Sequence, residues 1–402
     1  MSLFDKFEPF LARYDQTSGL AVNPFGVVFD EVISPTRGVV QGREVLLAGT
    51  NNYLGLTYDP DLKAAASRAI EARGTGTTGS RMANGSYGDH RALEAALADW
   101  YEAPAAVAFT TGFQANLAVI PTLAGRRDLL VIDADCHASI YDACKLSDAG
   151  LVRFRHNDPR DLDAKLAAKR AEVTGDVLVV IEGLYSMFGD TAPVAEMLDV
   201  CRRHGAMLYV DEAHSLGTYG AQGRGCAEAE GVLEEVDFVA GTFSKSLATI
   251  GGFCVSRHAV FDRLRPLMRA YTFTASATPA DVAVATAAVP RARDGHALRE
   301  ALHARAARLH GGLTELGFEL CAPPSPIIAV RVGSDLEGLF AWTNLLEGGV
   351  YANLAVPPAT PKGACLIRLS VSAAHTDEDV TRILDAFEAL ARTMAATRAA
   401  AE

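Results

Sequence analysis

Between residues 105 and 242 short apolar runs alternate with longer stretches in which apolar residues recur at helical spacing. The runs Ala105–Phe109, Leu129–Asp133, Leu151–Phe154, Val177–Glu182, Met207–Asp211 and Phe238–Thr242 are nearly continuous in Val, Ile, Leu, Ala and Phe. That pattern predicts strands buried on both faces. The stretches between them (Leu93–Tyr101, Gln114–Thr122, Pro159–Arg170 and Val194–His204) predict helices. Strand and helix in alternation imply a mostly parallel sheet covered on both sides, with ligands bound beyond the carboxyl ends of the strands.

After residue 280 the pattern changes. A long helical region, Pro279–Leu316, leads to a strand at Ile327–Val332 and a helix near Leu336–Gly348. A Pro-rich loop from Val356 to Pro361, a strand at Leu366–Val371 and a final helix from Asp377 follow, so this end predicts an α+β domain. The expected division is 1–50 for an N-terminal helix and small strands, 51–280 for a large ligand-binding domain, and 281–402 for the C-terminal domain. The tail Thr393–Glu402 is expected to fray. Phe4, Phe7, Phe10 and Leu11 share one face of a short helix. Such a stripe docks on the protein's own core or on a partner, peripheral membrane contact being the lesser alternative.

The net charge of −12, with no basic cluster, argues against nucleic acid as a partner. The seven cysteines are scattered and odd in number, without a C-x-x-C pair, which suits reduced thiols in a cytoplasmic protein. No apolar run reaches the roughly 18 residues that span a bilayer, and the acids near the N-terminus do not suit a secretory leader.

Four segments at predicted strand ends carry chemistry. Lys245 lies in Gly241-Thr242-Phe243-Ser244-Lys245-Ser246, a small hydroxyl-rich turn with no acid beside it in sequence. That setting suits an amine that spends time neutral and nucleophilic, against the alternative of a solvated surface lysine. Asp211 ends the strand of Asp211-Glu212-Ala213-His214, where an acid can keep a pyridine nitrogen protonated. The same letters occur in nucleic-acid-dependent ATPases, but those need a Gly-Lys phosphate loop and this chain has no Gly-Lys pair. Thr110-Thr111-Gly112-Phe113 turns a strand into a helix whose first N–H groups can take a phosphate or carboxylate, with Thr242 and Ser244 as further donors. His137 follows another strand, next to Cys136; adjacent side chains point to opposite faces, so the two do not form a thiol–imidazole pair. Gly74-Thr75-Gly76-Thr77-Thr78-Gly79 has the spacing of a dinucleotide fingerprint, but a helix precedes it and a loop follows, so that reading fails. A lysine nucleophile, an acid for a ring nitrogen, histidines and an anion-binding helix start together describe a site for pyridoxal 5′-phosphate (PLP).

These residues, with Gly251-Gly252-Phe253-Cys254-Val255-Ser256, Val152–Asp158 and Pro357-Pro358-Ala359-Thr360-Pro361, make the chain resemble the α-oxoamine synthases along nearly its whole length. The resemblance implies an aspartate-aminotransferase-like α/β fold (PLP fold type I), with a mostly parallel central sheet flanked by helices and a smaller α+β C-terminal domain. Phe243, Ser244 and the Ala-Thr-Pro loop favour the branch that makes sphingoid bases. It implies that Lys245 carries PLP, Asp211 pairs with the ring nitrogen, His214 meets the phenolic oxygen and His137 stacks on the ring. Gly112, Phe113, Thr242 and Ser244 would hold the phosphate, and Thr274 would reach the cofactor of the neighbouring subunit in a homodimer. Arg368 would take the amino-acid carboxylate, with Asn52 and Ser80 bordering the substrate. The implied reaction is a decarboxylating condensation of L-serine with a long-chain acyl thioester, on CoA or an acyl carrier protein. Alternatives are a glycine- or alanine-using member of the family, or a non-catalytic subunit of the same fold. Val356 departs from the arginine that members of that branch often carry just before the Pro-Pro-Ala-Thr-Pro loop.

Overall fold

The computed structural model describes residues 2–12, 22–357, 360 and 365–401. Its central sheet has seven strands: β1 (Ala105–Phe109), β2 (Leu129–Asp133), β3 (Gly150–Phe154), β4 (Val177–Glu182), β5 (Met207–Asp211), β6 (Phe238–Thr242) and β7 (Gly252–Ser256). They lie in the order β1-β7-β6-β5-β4-β2-β3. Strands β2 to β6 pair in parallel, and β7 runs antiparallel to both β1 and β6.

Successive side chains of a strand leave on opposite faces. Ala105, Val107 and Phe109 therefore enter one apolar cluster while Ala106 and Ala108 enter another. On β2, Leu130 and Ile132 join the first cluster, and Leu129 and Val131 the second. Burying each Val or Leu contributes about 1.5–3 kcal/mol, so both faces need a helical cover. The sequence reading missed β7, because Gly251 and Gly252 at its start read as turn punctuation.

The predicted C-terminal helical region divides into Pro279–Arg293 and His296–Glu315. A three-stranded antiparallel sheet follows, with β10 (Leu366–Ser370) between β8 (Ile327–Arg331) and β9 (Asn353–Ala355). Strands Glu31–Ser34, Arg37–Val40 and Arg43–Leu47 form an antiparallel ribbon whose last member pairs in parallel with Val350–Tyr351. One expectation fails and another is narrowed to its partner and membrane alternatives. The final helix runs on to Ala401 instead of fraying from Thr393. Thr376 and Asp379 cap its start reciprocally, and three acids in its first turn oppose the helix dipole. The N-terminal stripe does not dock on the chain's own core, since Phe4 is 73% and Phe10 63% exposed.

Among the described residues no helix is long and apolar enough to cross a membrane, and no cluster of His, Cys, Asp and Glu could hold a metal ion. None of the seven cysteines is in a disulfide, and all but Cys321 are buried.

Candidate active site

The site forms where β4, β5 and β6 end and where the reversed strand β7 begins. Asp211 is the last residue of β5 and is in register with Glu182, the last of β4. Both acids are buried. Asp211 accepts from the Asn116 amide at 2.8 Å and from the Ala213 N–H at 3.0 Å, so its geometry is fixed by a neighbouring helix and by its own turn. That helix, α1 (Gly112–Leu123), follows β1 directly, and Asn116 lies one turn inside it. The same amide donates to Ser139 Oγ at 2.9 Å, and the Tyr209 hydroxyl donates to the Asn116 oxygen at 2.6 Å.

His137 caps the helix α2 (Ala138–Leu146), its Nδ1 accepting from the Ser139 N–H at 3.2 Å and lying 2.8 Å from Ser139 Oγ. An acceptor at Nδ1 puts the ring proton on Nε2. Burial lowers the His137 pKa from its ordinary value, so the neutral imidazole prevails. Its backbone N–H donates to Glu182 at 2.5 Å. Burial, reinforced by Asp211, raises the Glu182 carboxyl well above the carboxylate range, while the His137 N–H and the Lys245 charge oppose the rise. The neighbouring Cys136 is buried with its thiol against the Val180 carbonyl, on the far side from His137.

Lys245 sits three residues past β6, half-buried. Burial lowers its pKa to about 8, against the pull of Asp211 and Glu182, and the Arg368 cation adds to the lowering. Near neutrality a useful fraction of this amine is unprotonated, as a nucleophile requires. His214 is buried and pairs with the Tyr53 hydroxyl at 2.8 Å through Nδ1. Burial and the fields of Lys245, Arg368 and His137 hold its pKa well below the usual value. The intervening Glu212 turns the other way, accepting from the N–H groups of Cys226 and Ala227 at 2.9 and 2.8 Å and from the Ser215 hydroxyl. The acid–acid–x–His string thus divides between the site and a structural cap.

The anion cradle is steric as well as polar. A Cβ on Gly112 would stand 2.8 Å from Thr242 Cβ, and one on Gly252 would stand 2.5 Å from Gly112 Cα. Thr111 caps α1 through Gln114 N–H at 3.0 Å, which leaves the Gly112 and Phe113 N–H groups for a ligand. Thr242 spends its proton on the Gly251 carbonyl at 2.9 Å and contacts Ser244 Oγ at 2.8 Å, so the exposed Ser244 is the freer hydroxyl. Thr274 Oγ1 lies 3.4 Å from the Gln114 amide on this same helix. Ser80 forms a bridge with Ala275 and therefore shares a loop pair with Thr274.

Arg368, buried on β10, donates from Nε to the Ser186 carbonyl at 2.5 Å, from Nη1 to Ser370 Oγ at 2.9 Å, and from both Nη atoms to Asn51 Oδ1 at 3.2 Å. All of these acceptors are neutral, and a buried guanidinium is best compensated by an ionised one. Asn52, expected to border the substrate, donates its amide to Thr57 Oγ1 at 2.8 Å and to the Pro35 carbonyl at 3.5 Å, and its neighbour Asn51 is the residue on Arg368. Asn51, Tyr53, Asn116 and Glu182 were missed. Asn116 was accessible from its place one turn beyond Gly112, whereas nothing local marks the other three. Val356 is partly buried beside the loop, of which Pro358, Ala359 and Pro361 lie outside the described residues.

Beneath the site His156 bridges two acids, with Nδ1 2.9 Å from Asp133 and Nε2 2.7 Å from Asp190, while Tyr185 meets its ring edge-on at 4.4 Å. Burial opposes the charge, but the two carboxylates overcome it and raise the His156 pKa to about 10. This imidazolium joins the end of β2, the turn after β3 and the loop after β4 that carries Ser186.

The donors and acceptors fit PLP: Asp211 for the ring nitrogen, His214 for the phenolic oxygen, His137 for the ring face, Lys245 for the aldehyde, and a helix start kept open by glycine for the phosphate. The sequence matches the Aminotransferase class I and II family over residues 43–387. It is 52% identical over 387 residues to the serine palmitoyltransferase of Caulobacter vibrioides, covering 96% of each chain. It is 39% identical over 361 residues to the 8-amino-7-oxononanoate synthase of Geobacter metallireducens, covering 89% of this chain and 92% of that one. A solved structure of serine palmitoyltransferase with its PLP internal aldimine matches with a TM-score of 0.94 at 46% identity, covering 98% of this chain and 99% of that one. From the family match, the identities and the site together, the chain belongs to the aminotransferase class I and II family, as one of its α-oxoamine synthases.

Proposed function

We propose that this protein is a PLP-dependent serine C-palmitoyltransferase. It condenses L-serine with a long-chain acyl thioester of the palmitoyl-CoA type, releasing carbon dioxide and the free thiol, to give 3-ketosphinganine. When bound, PLP supplies an electron sink for negative charge at the amino acid's Cα. Lys245 would hold the cofactor through Nζ and, as a free amine, would take the Cα proton of the amino acid. Asp211 keeps the ring nitrogen protonated, and neutral His214 contacts the phenolic oxygen. His137 covers one face of the ring. The Gly112 and Phe113 N–H groups hold the phosphate with Ser244, and Thr242 shapes the same cradle through its contacts with Ser244 and the Gly251 carbonyl. Arg368 receives the serine carboxylate as an ion pair, bordered by Asn52 and Ser80.

Two copies of the chain form a homodimer in which Thr274 serves the partner's cofactor, and the exposed Phe4 and Phe10 support an assembly that covers them. The acyl donor is an acyl-CoA or an acyl carrier protein, and the enzyme acts in the cytoplasm. The observation that carries the reading is the Lys245 amine, depressed to about 8 beside Asp211. The choice of serine and a long acyl chain is supported by the 52% identical relative. Titrating the holoenzyme with serine, glycine and alanine tests it. Serine alone should shift the cofactor absorption band at low concentration, and palmitoyl-CoA should then yield a long-chain amino ketone by mass spectrometry. A band that answers to alanine or glycine instead would move the chain to the 8-amino-7-oxononanoate synthase side of the family.

A further inference from the structure

A side-chain amide oxygen has two lone pairs, yet four donors approach the Asn51 oxygen. Nη1 and Nη2 of Arg368, the Ser370 hydroxyl and the Tyr53 hydroxyl all lie 3.2 Å from Oδ1. The two guanidinium contacts settle which way the amide is turned, since an NH2 group in that place would face N–H groups that cannot accept. It also means that the donors compete. Two of them have a nearer partner as well: Ser370 Oγ accepts from Arg368 Nη1 at 2.9 Å, and Tyr53 Oη lies 2.8 Å from His214 Nδ1.

The Tyr53 hydroxyl has one proton. Directed at His214, it makes Nδ1 an acceptor and leaves Nε2–H to face the cofactor; rotated to Asn51, it withdraws that support. Which acceptor wins depends on how much of the Asn51 oxygen Arg368 already occupies. The guanidinium has five N–H bonds, and the contacts to Ser186, Ser370 and Asn51 use four, which leaves one on Nη2 unspent. A carboxylate arriving there is a stronger acceptor than a neutral amide and draws the guanidinium toward itself. The Asn51 oxygen is then freer to compete for the Tyr53 proton.

We propose that Asn51 is a positioning residue: its side-chain oxygen holds Arg368 ready for the amino-acid carboxylate, and the Tyr53 proton it competes for links occupancy of that receptor to the hydrogen bond on His214. The inference rests on the reading of Arg368 as the carboxylate receptor. Asn51 touches neither substrate nor cofactor in this role. It sets the pose of two groups that do, drawn from β10 and from the turn after β5.

The test is a double-mutant cycle on the holoenzyme with Asn51→Leu, Tyr53→Phe and the pair, read as the dissociation constant for serine, glycine and alanine from the cofactor band and as KM and kcat. Asn51→Leu removes the acceptor at similar volume and is expected to weaken amino-acid binding about tenfold or more, the scale of a lost hydrogen bond to a charged group. The expected split is a raised KM with a much smaller change in kcat, which a general loss of structure would not give. Tyr53→Phe should alter binding in the wild-type background and have a smaller effect beside Asn51→Leu, where only its bond to His214 is left to lose. Thermal melts confirm that each variant is folded, and Tyr53→Phe, which deletes one atom, keeps the cycle readable if the leucine variant is unstable. Binding unchanged within about twofold in Asn51→Leu, below what one hydrogen bond is worth, or additive effects of the two substitutions, would overturn the inference. The weakening is expected on whichever amino acid the protein binds, because all three share the carboxylate. Preference for glycine or alanine would therefore count against the proposed function and not against Asn51.

Discussion

Lys245 differs from a surface lysine in what surrounds it. Burial takes its amine to about 8, and Asp211 and Glu182 stop it falling further. Below that value the amine is charged and cannot attack an aldehyde. The rate at which apoprotein takes up PLP should therefore rise with pH through about 8 and level off above it, followed by the growth of the cofactor band. Lys245→Ala should reduce turnover by about a thousandfold or more, since nucleophile and base are lost together; near-wild-type turnover would defeat the assigned role. Lys245, Asp211, His214 and His137 were legible in the sequence because each ends or follows a strand, where chemistry collects. Asn51 was not, because its partner Arg368 lies 317 residues away and no local pattern encodes that contact. Glu182 was read only as the end of a strand, since its neighbour Asp211 becomes visible only when β4 and β5 are placed side by side.

At the scale of elements, the phosphate cradle is made by two glycines on different strands and helices. Replacing Gly112 or Gly252 with Ala adds a methyl where the nearest heavy atoms stand 2.8 and 2.5 Å away. Each substitution should cost about 1–3 kcal/mol of overpacking strain and weaken PLP retention, measured by melting and by dialysis of the holoenzyme. The parallel strands were readable from their apolar runs, whereas β7 was hidden by the glycines the cradle needs. His375 makes a second prediction. Its Nε2 meets the Leu47 carbonyl at 3.1 Å and its Nδ1 accepts from the Ser372 N–H at 3.1 Å, tying the end of β10 to the N-terminal ribbon. Burial lowers its pKa from 6.5 to about 4, so the folded state binds fewer protons than the unfolded one between those values. The stability it contributes is complete above pH 6.5 and is lost as the pH falls through 4. The loss should approach about 3 kcal/mol. Denaturant melts across that range should show it, and His375→Gln should flatten the dependence.

For the whole molecule, a homodimer implies a sedimentation mass twice the 42.6 kDa of one chain. Thr274→Val should then loosen the cofactor without unfolding the protein, measured as faster PLP loss on dialysis; a monomer that retains PLP and turns over would remove the shared-site reading. The fold class was accessible from the alternation of strands and helices alone, but assembly depends on surfaces that one sequence does not pair. The salt bridge beneath the site bears on how all of this is measured. His156 stays cationic to about pH 10, so the loop bearing Ser186 keeps its shape across the working range. A curve of cofactor capture against pH should accordingly carry no step from this imidazole below about 10.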